Sequence, residues 1–224
     1  MRKIEIFPSI LSSDFSKLND EIREVERAGA DGIHIDVMDG HYVPNITIGP
    51  VVLRWIRNSS SLPYFAHLMI TDPEKYVQPF IDTGVNGIFV HPETGQDMVA
   101  LSKLMTAQNV APGLALNPET SIQDVEDVLP FFRDILILTV HPGFGGQSIL
   151  PENLEKVKEI KSRSGEWGFV HRIHVDGGIN NKTVHNIIEA GTDILIAGSA
   201  IFDAKDRTAA LTELRRIAEK SVQS

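Results

Sequence analysis

The segment GIHIDVMDGHYVPNITIGP, residues 32–50, places His34, Asp36 and Met38 at every second position of a short hydrophobic run. Residues two apart in a β-strand point to the same face. One face would therefore carry an imidazole, a carboxylate and a thioether, while the intervening aliphatic residues pack on the other. A loop rich in Asp, Gly and Pro follows at once. This arrangement is typical of a strand that ends at a functional site.

Polar or small residues end the other predicted strands as well. They are Ser9, His67, His91, Asn117, His141, Asp176, Gly198 and Ser199. The imidazole of His67 and the carboxylate of Asp176 would lie beside the pair on the second strand. Two imidazoles and two carboxylates suit zinc, manganese, iron or cobalt better than calcium. One such residue alone is more often a hydrogen-bonding group, but four together favour a site for one divalent metal ion, because uncompensated buried charge is costly.

Three glycine-rich segments follow the last three predicted strands: HPGFGGQ at 141–147, DGGIN at 176–180 and AGSAIF at 197–202. Backbone N–H groups of such turns can cradle a phosphate, and glycine can also serve only to make a tight turn. Their joint position favours a phosphate site. None of the three matches a Walker or dinucleotide-binding fingerprint.

Short β-branched runs alternate with amphipathic helical patterns along the chain. The predicted strands begin near Ile4 and at Gly32, Tyr64, Gly87, Pro112, Ile135, Arg172 and Asp193. The predicted helices begin at Asp14, Asp72, Ser121, Pro151, Asn180 and Arg207. Strands that alternate with helices indicate a parallel sheet. Eight such strands in a chain of this length favour a closed (β/α)₈ TIM barrel over an open doubly wound sheet, and a barrel places its chemistry at the carboxyl ends of the strands.

The chain has 224 residues, a net charge of −9 and no cysteine. Its length allows one domain over residues 1–224. The negative charge argues against nucleic acid or an acidic membrane as a partner. The absence of cysteine excludes disulfides and thiolate metal sites. The N-terminal apolar run is too short and too interrupted for a signal peptide or membrane span, so we expect a cytoplasmic protein.

Met38 and Met69 would lie beside the candidate ligands, either as an apolar lid or as core filler. His91 and His141 are expected to support a ligand or a loop by hydrogen bonding. His174, two residues before Asp176, would face the same side, and its role stays open. The remaining histidines are predicted to be surface residues: His41, His171 and His185.

The segments PSILSSDF, HIDVMDGHYVPNITIGP, HLMI, TVHPGFGGQ, VDGGIN and AGSAIF resemble, in order and spacing, the motifs of the ribulose-phosphate 3-epimerase family. The similarity runs from Pro8 to about Phe202. It implies a TIM barrel of the ribulose-phosphate-binding type, one bound Zn, Fe, Mn or Co ion, and interconversion of D-ribulose 5-phosphate and D-xylulose 5-phosphate. We also expect a homo-oligomer.

The resemblance further assigns roles to individual residues. The implied metal ligands are His34, Asp36, His67 and Asp176. The implied acid/base residues are Asp36 and Asp176. The implied substrate-binding residues are Ser9, His67, Gly143, Phe144, Gly145, Gly146, Asp176, Gly177, Gly178, Gly198 and Ser199. Two opposed carboxylates can remove a proton from one face of C3 and return it to the other. We expect the metal to stabilise the intervening enediolate as a Lewis acid.

Two features differ from the family pattern. Leu138 stands where a third methionine is usual, so the lid of Met38, Met69 and Leu138 would remain apolar. The segment HPET at 91–94 occurs as often in the related hexulose-phosphate epimerases as in the pentulose enzymes. A hexulose 6-phosphate such as D-allulose 6-phosphate is therefore the alternative substrate. The intact glycines favour the pentulose.

Two other hypotheses keep the barrel. A sugar-phosphate sensor without catalytic activity would not need a carboxylate on each face of its ligand. Barrels of tryptophan or histidine biosynthesis share the phosphate loops but lack the His-x-Asp-x-Met strand.

Overall fold

The computed structural model of the chain describes residues 3–168 and 170–222. Eight parallel strands within these ranges form its centre. They are β1 (Glu5–Pro8), β2 (Ile33–Met38), β3 (Tyr64–Met69), β4 (Gly87–Val90), β5 (Ala111–Leu116), β6 (Asp134–Leu138), β7 (Arg172–Asp176) and β8 (Ile194–Ala197). Each matches a strand predicted from the β-branched runs.

The strands pair in the order β1-β8-β7-β6-β5-β4-β3-β2. A parallel bridge between Ser9, just after β1, and His34 on β2 brings the two ends of this sheet together. The register aligns Asp36 with His67 and Met38 with Met69. The sheet is therefore a TIM barrel, as predicted, and the carboxyl ends of its strands meet at one end, which we call the mouth.

Helices and short turns connect the strands on the outside. Within the described residues the α-helices are α1 (Leu18–Arg27), α2 (Pro50–Ile56), α3 (Pro73–Ile81), α4 (Met98–Ala107), α5 (Leu154–Arg163), α6 (Val184–Glu189), α7 (Ser199–Phe202) and α8 (Arg207–Ser221). The predictions did not include α2, α4 and α7, although Pro at the first position of α2 and the Asp97 cap of α4 are ordinary start signals. No helix in these ranges is long and apolar enough to span a membrane.

The prediction of an α-helix from Ser121 is wrong. Ser121 and Asp124 exchange capping hydrogen bonds as at a helix start, but two short 3-10 turns follow, Gln123–Val125 and Leu129–Phe131. Pro130 lies in the second turn. Proline has no N–H to donate and its ring clashes with the carbonyl four residues earlier, so an α-helix through this position is disfavoured.

Aromatic rings fill the barrel interior because glycines on neighbouring strands leave room for them. A Cβ atom at Gly87 would lie 2.3 Å from the ring of Phe65, and one at Gly113 would lie 2.2 Å from the ring of Phe89. The two rings pack with centroids 5.8 Å apart. Any larger residue at either glycine would displace a ring, so these glycines fix the filling of the barrel below the mouth.

A second polar group lies inside the barrel, away from the mouth. His174 on β7 is fully buried and its Nε2 lies 2.8 Å from Oδ1 of Asp134, at the start of β6. Nε of Arg172 lies 3.2 Å from the same oxygen. His174 faces the barrel axis like Asp176, as predicted, but deeper.

His171 is buried, so its prediction as a surface residue is wrong. It lies just before β7, where its Nε2 is 3.2 Å from the Leu129 carbonyl and its ring packs against Trp167. Its position between two connecting segments, which the local pattern does not reveal, accounts for the error. His41 and His185 are exposed.

Candidate active site

The four predicted metal ligands come together at the mouth. His34 and Asp36 on β2 and His67 on β3 are buried, and Asp176, the last residue of β7, is partly exposed. One nitrogen or oxygen of each lies within 4.8 Å of those of the other three. Because β2 and β7 are separated around the barrel by β1 and β8, the two carboxylates approach the cluster from different sides.

Asp36 is the centre of this cluster. Its Oδ1 lies 3.2 Å from Nε2 of His34 and 3.1 Å from Nδ1 of His67. Its Oδ2 accepts a 2.6 Å hydrogen bond from the hydroxyl of Ser9. Oδ2 of Asp176 lies 3.8 Å from Nε2 of His34. The carboxylate of Asp36 is therefore fixed at both oxygens, whereas that of Asp176 is held less tightly.

The two carboxylates titrate in opposite directions in the field of the protein. Burial opposes ionisation of Asp36, but the charges and hydrogen bonds of His34 and His67 hold its pKa well below the ordinary 3.8. Burial and the neighbouring charge of Asp36 raise the pKa of Asp176 to about 7. Burial also lowers the pKa of His67 to about 4. One acid of the pair is thus ionised and the other readily protonated at neutral pH, which suits an acid and a base.

The cluster fits a divalent cation. Two nitrogen and two oxygen donors lie within reach of one point, and mixed donors of this kind bind transition metals and zinc. Two carboxylates close together in a buried site repel unless a cation lies between them or one is protonated. The residues that would hold the metal ion are His34, Asp36, His67 and Asp176.

A cavity of about 390 Å³ opens onto the cluster. Ser9, Asp36, His67 and Asp176 line its inner wall, and residues 143–146, 177–178 and 198–199 line its rim. Every residue predicted to bind substrate is therefore at the cavity. His34 is fully buried and lies outside the cavity lining. Its Nε2 atom therefore reaches the two carboxylates from below the cavity floor.

The glycines of the loop after β7 are required by the backbone. Gly177 and Gly178 have φ of +114° and +64°, a region that side chains with a Cβ rarely adopt. A Cβ at Gly178 would lie 2.5 Å from the backbone nitrogen of Ile149, in the segment after β6. The glycines let the loops after β6 and β7 approach closely at the cavity rim.

The three residues of the predicted lid are all buried and line the cavity. Met38 and Met69 pack with Val43 as a small separate cluster. Leu138 packs instead with the aromatic filling of the barrel. The thioethers therefore cover one side of the cavity, while Leu138 belongs to its floor.

The histidines with open roles differ in their surroundings. His91 is fully buried, with Nε2 2.8 Å from Nε2 of His67 and Nδ1 3.1 Å from Oε2 of Glu93. His141 is exposed and pairs with Glu119 at 3.1 Å. The sequence alone indicates no partner for His91. The available signal was His91 at a strand end with Glu93 two residues later, but only the fold brings them to His67.

Comparison with known proteins finds one family that matches nearly the whole chain. Residues 5–202 match the model of the "Ribulose-phosphate 3 epimerase family". A ribulose-phosphate 3-epimerase of Bacillus subtilis is 45% identical over 213 residues, 95% of this chain and 98% of the relative. One of Synechocystis is 43% identical, with 96% and 94% of the two chains covered.

Solved structures of low identity share the fold alone. The structure of KGPDC from Streptococcus mutans has a TM-score of 0.69 at 14% identity, and the match covers 97% of this chain and 98% of that chain. A family model that spans most of the chain and relatives above 40% identity over nearly full length are decisive. The chain belongs to the ribulose-phosphate 3-epimerase family.

Proposed function

We propose that this chain interconverts D-ribulose 5-phosphate and D-xylulose 5-phosphate by proton transfer at C3. One observation carries the proposal. Asp36 and Asp176 come from separated strands, yet their carboxylates meet within 4.8 Å at the inner wall of a cavity with a glycine-rich rim. A site that only binds a sugar phosphate has no need of two acids at this position.

The proton transfers are assigned to the two aspartates. One carboxylate takes the proton from C3 on one face of the substrate, and the other carboxylic acid gives a proton to the opposite face. The roles exchange in the reverse reaction. The Oδ1 atom of Asp36 faces two imidazoles, so Oδ2, which Ser9 holds at 2.6 Å, is the oxygen we assign to the transfer.

His34, Asp36, His67 and Asp176 would hold one divalent cation, with zinc, iron, manganese and cobalt as candidates. A cation in this cluster supplies Lewis-acid stabilisation of the negative charge that develops when C3 loses its proton. Met38 and Met69 present an apolar surface beside the reacting carbon and limit the access of water.

The glycine-rich loops are assigned to the phosphate. Their backbone N–H groups can surround its oxygens without the bulk of side chains. The residues are Gly143, Phe144, Gly145, Gly146, Gly177, Gly178, Gly198 and Ser199. Binding at this remote group would fix C3 between the aspartates, which is how positioning contributes to rate.

Incubation with D-ribulose 5-phosphate in D₂O tests the proposal. We expect D-xylulose 5-phosphate to form with deuterium at C3, and exchange to stop with a chelator and resume when Mn²⁺ or Co²⁺ is restored. D-Allulose 6-phosphate, assayed alongside, tests the hexulose alternative and should react more slowly. A protein that binds the pentulose phosphate but leaves its C3 proton unexchanged would be a binder, not an epimerase.

Three further expectations remain predictions. They are a single domain over residues 1–224, a homo-oligomeric state and a cytoplasmic location.

A further inference from the structure

The outer nitrogens of the two histidines in the metal-ligand cluster have different surroundings. Nε2 of His67 lies 2.8 Å from Nε2 of His91, and Nδ1 of His91 lies 3.1 Å from Oε2 of Glu93. Nδ1 of His34 is buried and has no hydrogen-bond partner among the described residues. One ligand is therefore connected through a second imidazole to a carboxylate, and the other is not.

When the imidazoles are neutral, an ionised Glu93 sets the direction of the hydrogen bonds in this series. An ionised Glu93 can only accept, so His91 carries its proton on Nδ1 and donates it to Glu93. The Nε2 atom of His91 then has only a lone pair and accepts from Nε2–H of His67. As a result, Nδ1 of neutral His67 keeps a lone pair for a cation in the cluster, whereas without a cation the same nitrogen can donate to Oδ1 of Asp36, 3.1 Å away.

Glu93 is well anchored in its ionised form. Its Oε1 accepts hydrogen bonds from the backbone N–H of Asn117, at 3.1 Å, and from the hydroxyl of Thr120. The ring of Tyr42 packs on His91, with centroids 4.9 Å apart. The Glu93 carboxylate is thus hydrogen-bonded to the segment after β5.

We propose that His91 and Glu93 are positioning residues that hold His67 in the tautomer and orientation needed to bind the metal ion. The inference rests on the proposed function for the identity of what His67 binds. A ligand imidazole commonly donates its outer N–H to a carboxylate or carbonyl, and loss of that acceptor typically weakens metal binding 10- to 100-fold. Here a second imidazole extends the connection from β3 to the ends of β4 and β5.

Metal affinity provides a measurement that does not depend on turnover. We would titrate Co²⁺ against a chromophoric chelator with the wild type, His91→Leu and His91→Gln, after confirming by urea unfolding that each metal-free variant is folded. His91→Leu removes the acceptor and should weaken Co²⁺ binding by about 10- to 100-fold. His91→Gln offers an amide oxygen to Nε2–H of His67 and should recover most of the loss.

Glu93 is tested through a double-mutant cycle. Glu93→Gln should weaken Co²⁺ binding in the wild type but have no further effect in His91→Leu, because Glu93 acts through His91. The matched control is Glu189→Gln, which removes the carboxylate from the exposed His185–Glu189 pair, 3.2 Å apart on α6. It should leave Co²⁺ affinity unchanged.

A direct view of the hydrogen bond completes the test. In zinc-loaded protein with ¹⁵N-histidine, we expect a proton on Nε2 of His67 and a scalar coupling across the N–H···N hydrogen bond to His91. Equal Co²⁺ affinities of wild type and His91→Leu, or a proton on Nε2 of His91 facing His67, would overturn the inference. If the wild type bound no divalent cation, the proposed metal site itself would be wrong. That outcome differs from failure of this inference alone, in which the wild type binds Co²⁺ and His91→Leu binds it equally well.

Discussion

The barrel contains two buried groups of histidine and aspartate, and the charges of their aspartates are compensated differently. At the mouth, Asp36 and Asp176 face imidazoles, and burial with the charge of Asp36 raises the pKa of Asp176 to about 7. At the other end, Asp134 lies 2.8 Å from His174 and 3.2 Å from the guanidinium of Arg172. Similar residues thus form a charge-balanced structural group at one end and a pair of carboxylates among imidazoles at the other, where a cation and a substrate would be stabilised.

Substitution of either aspartate at the mouth should have the largest effect on activity. Asp36→Asn or Asp176→Asn removes one proton-transferring group and one metal ligand, so we expect turnover to fall by about 10³-fold or more. Loss of epimerisation and of C3 deuterium exchange would be measured together, with circular dichroism as the check on folding. Near-normal turnover in either variant would refute the assignment of two acids.

Asp134→Asn, the counterpart at the other end, should affect stability instead. It weakens the hydrogen bonds of buried His174 and Arg172 to a charged partner, which typically costs about 2 kcal/mol. Urea unfolding should record the loss, while turnover per folded molecule stays near that of the wild type. A variant that unfolds normally but is inactive would show that this group also serves the reaction.

Asp176 and His174 should contribute to the pH dependence of stability with opposite signs when divalent cations are chelated. Asp176 has its pKa raised from 3.8 to about 7, so its contribution is full below about pH 4 and lost as the pH rises through 7. Burial lowers the pKa of His174 from 6.5, so its contribution is present above that pH and lost as the pH falls.

Urea unfolding of wild type, Asp176→Asn and His174→Asn from about pH 4 to pH 8 measures both contributions. Asp176→Asn should remove the loss of stability toward neutral pH, and His174→Asn should reduce the loss toward acid. If both substitutions changed the same side of the profile, the electrostatic contrast between the two ends would be wrong.

Leu138→Met should have the smallest effect. Leucine and methionine have similar volumes, so we expect less than about 1.5 kcal/mol of destabilisation and little change in turnover. Leu138 packs with the aromatic filling of the barrel, so it connects the two ends. A large loss of stability measured by urea unfolding would show that this packing does not tolerate a flexible side chain.

Predictions for single strands were reliable, whereas the prediction of a helix from Ser121 was not. The alternation of His34, Asp36 and Met38 predicted a polar inner face, which the structure contains. The capping pair Ser121 and Asp124 forms as at a helix start, but two 3-10 turns follow instead of an α-helix. Local signals such as these depend on neighbours in the chain, which the sequence displays directly.

The sequence was sufficient for the eight strands, the barrel and the residues that end each strand at the mouth, because strand periodicity and chain order fix these features. The tertiary structure was needed to bring His91 and Glu93 to His67, to bury His171, and to separate the charge-balanced pair of Asp134 and Arg172 from the two carboxylates at the mouth. These features depend on distances between strands that are far apart in the chain. The charge balance at each end follows from packing around the whole barrel rather than from any one segment.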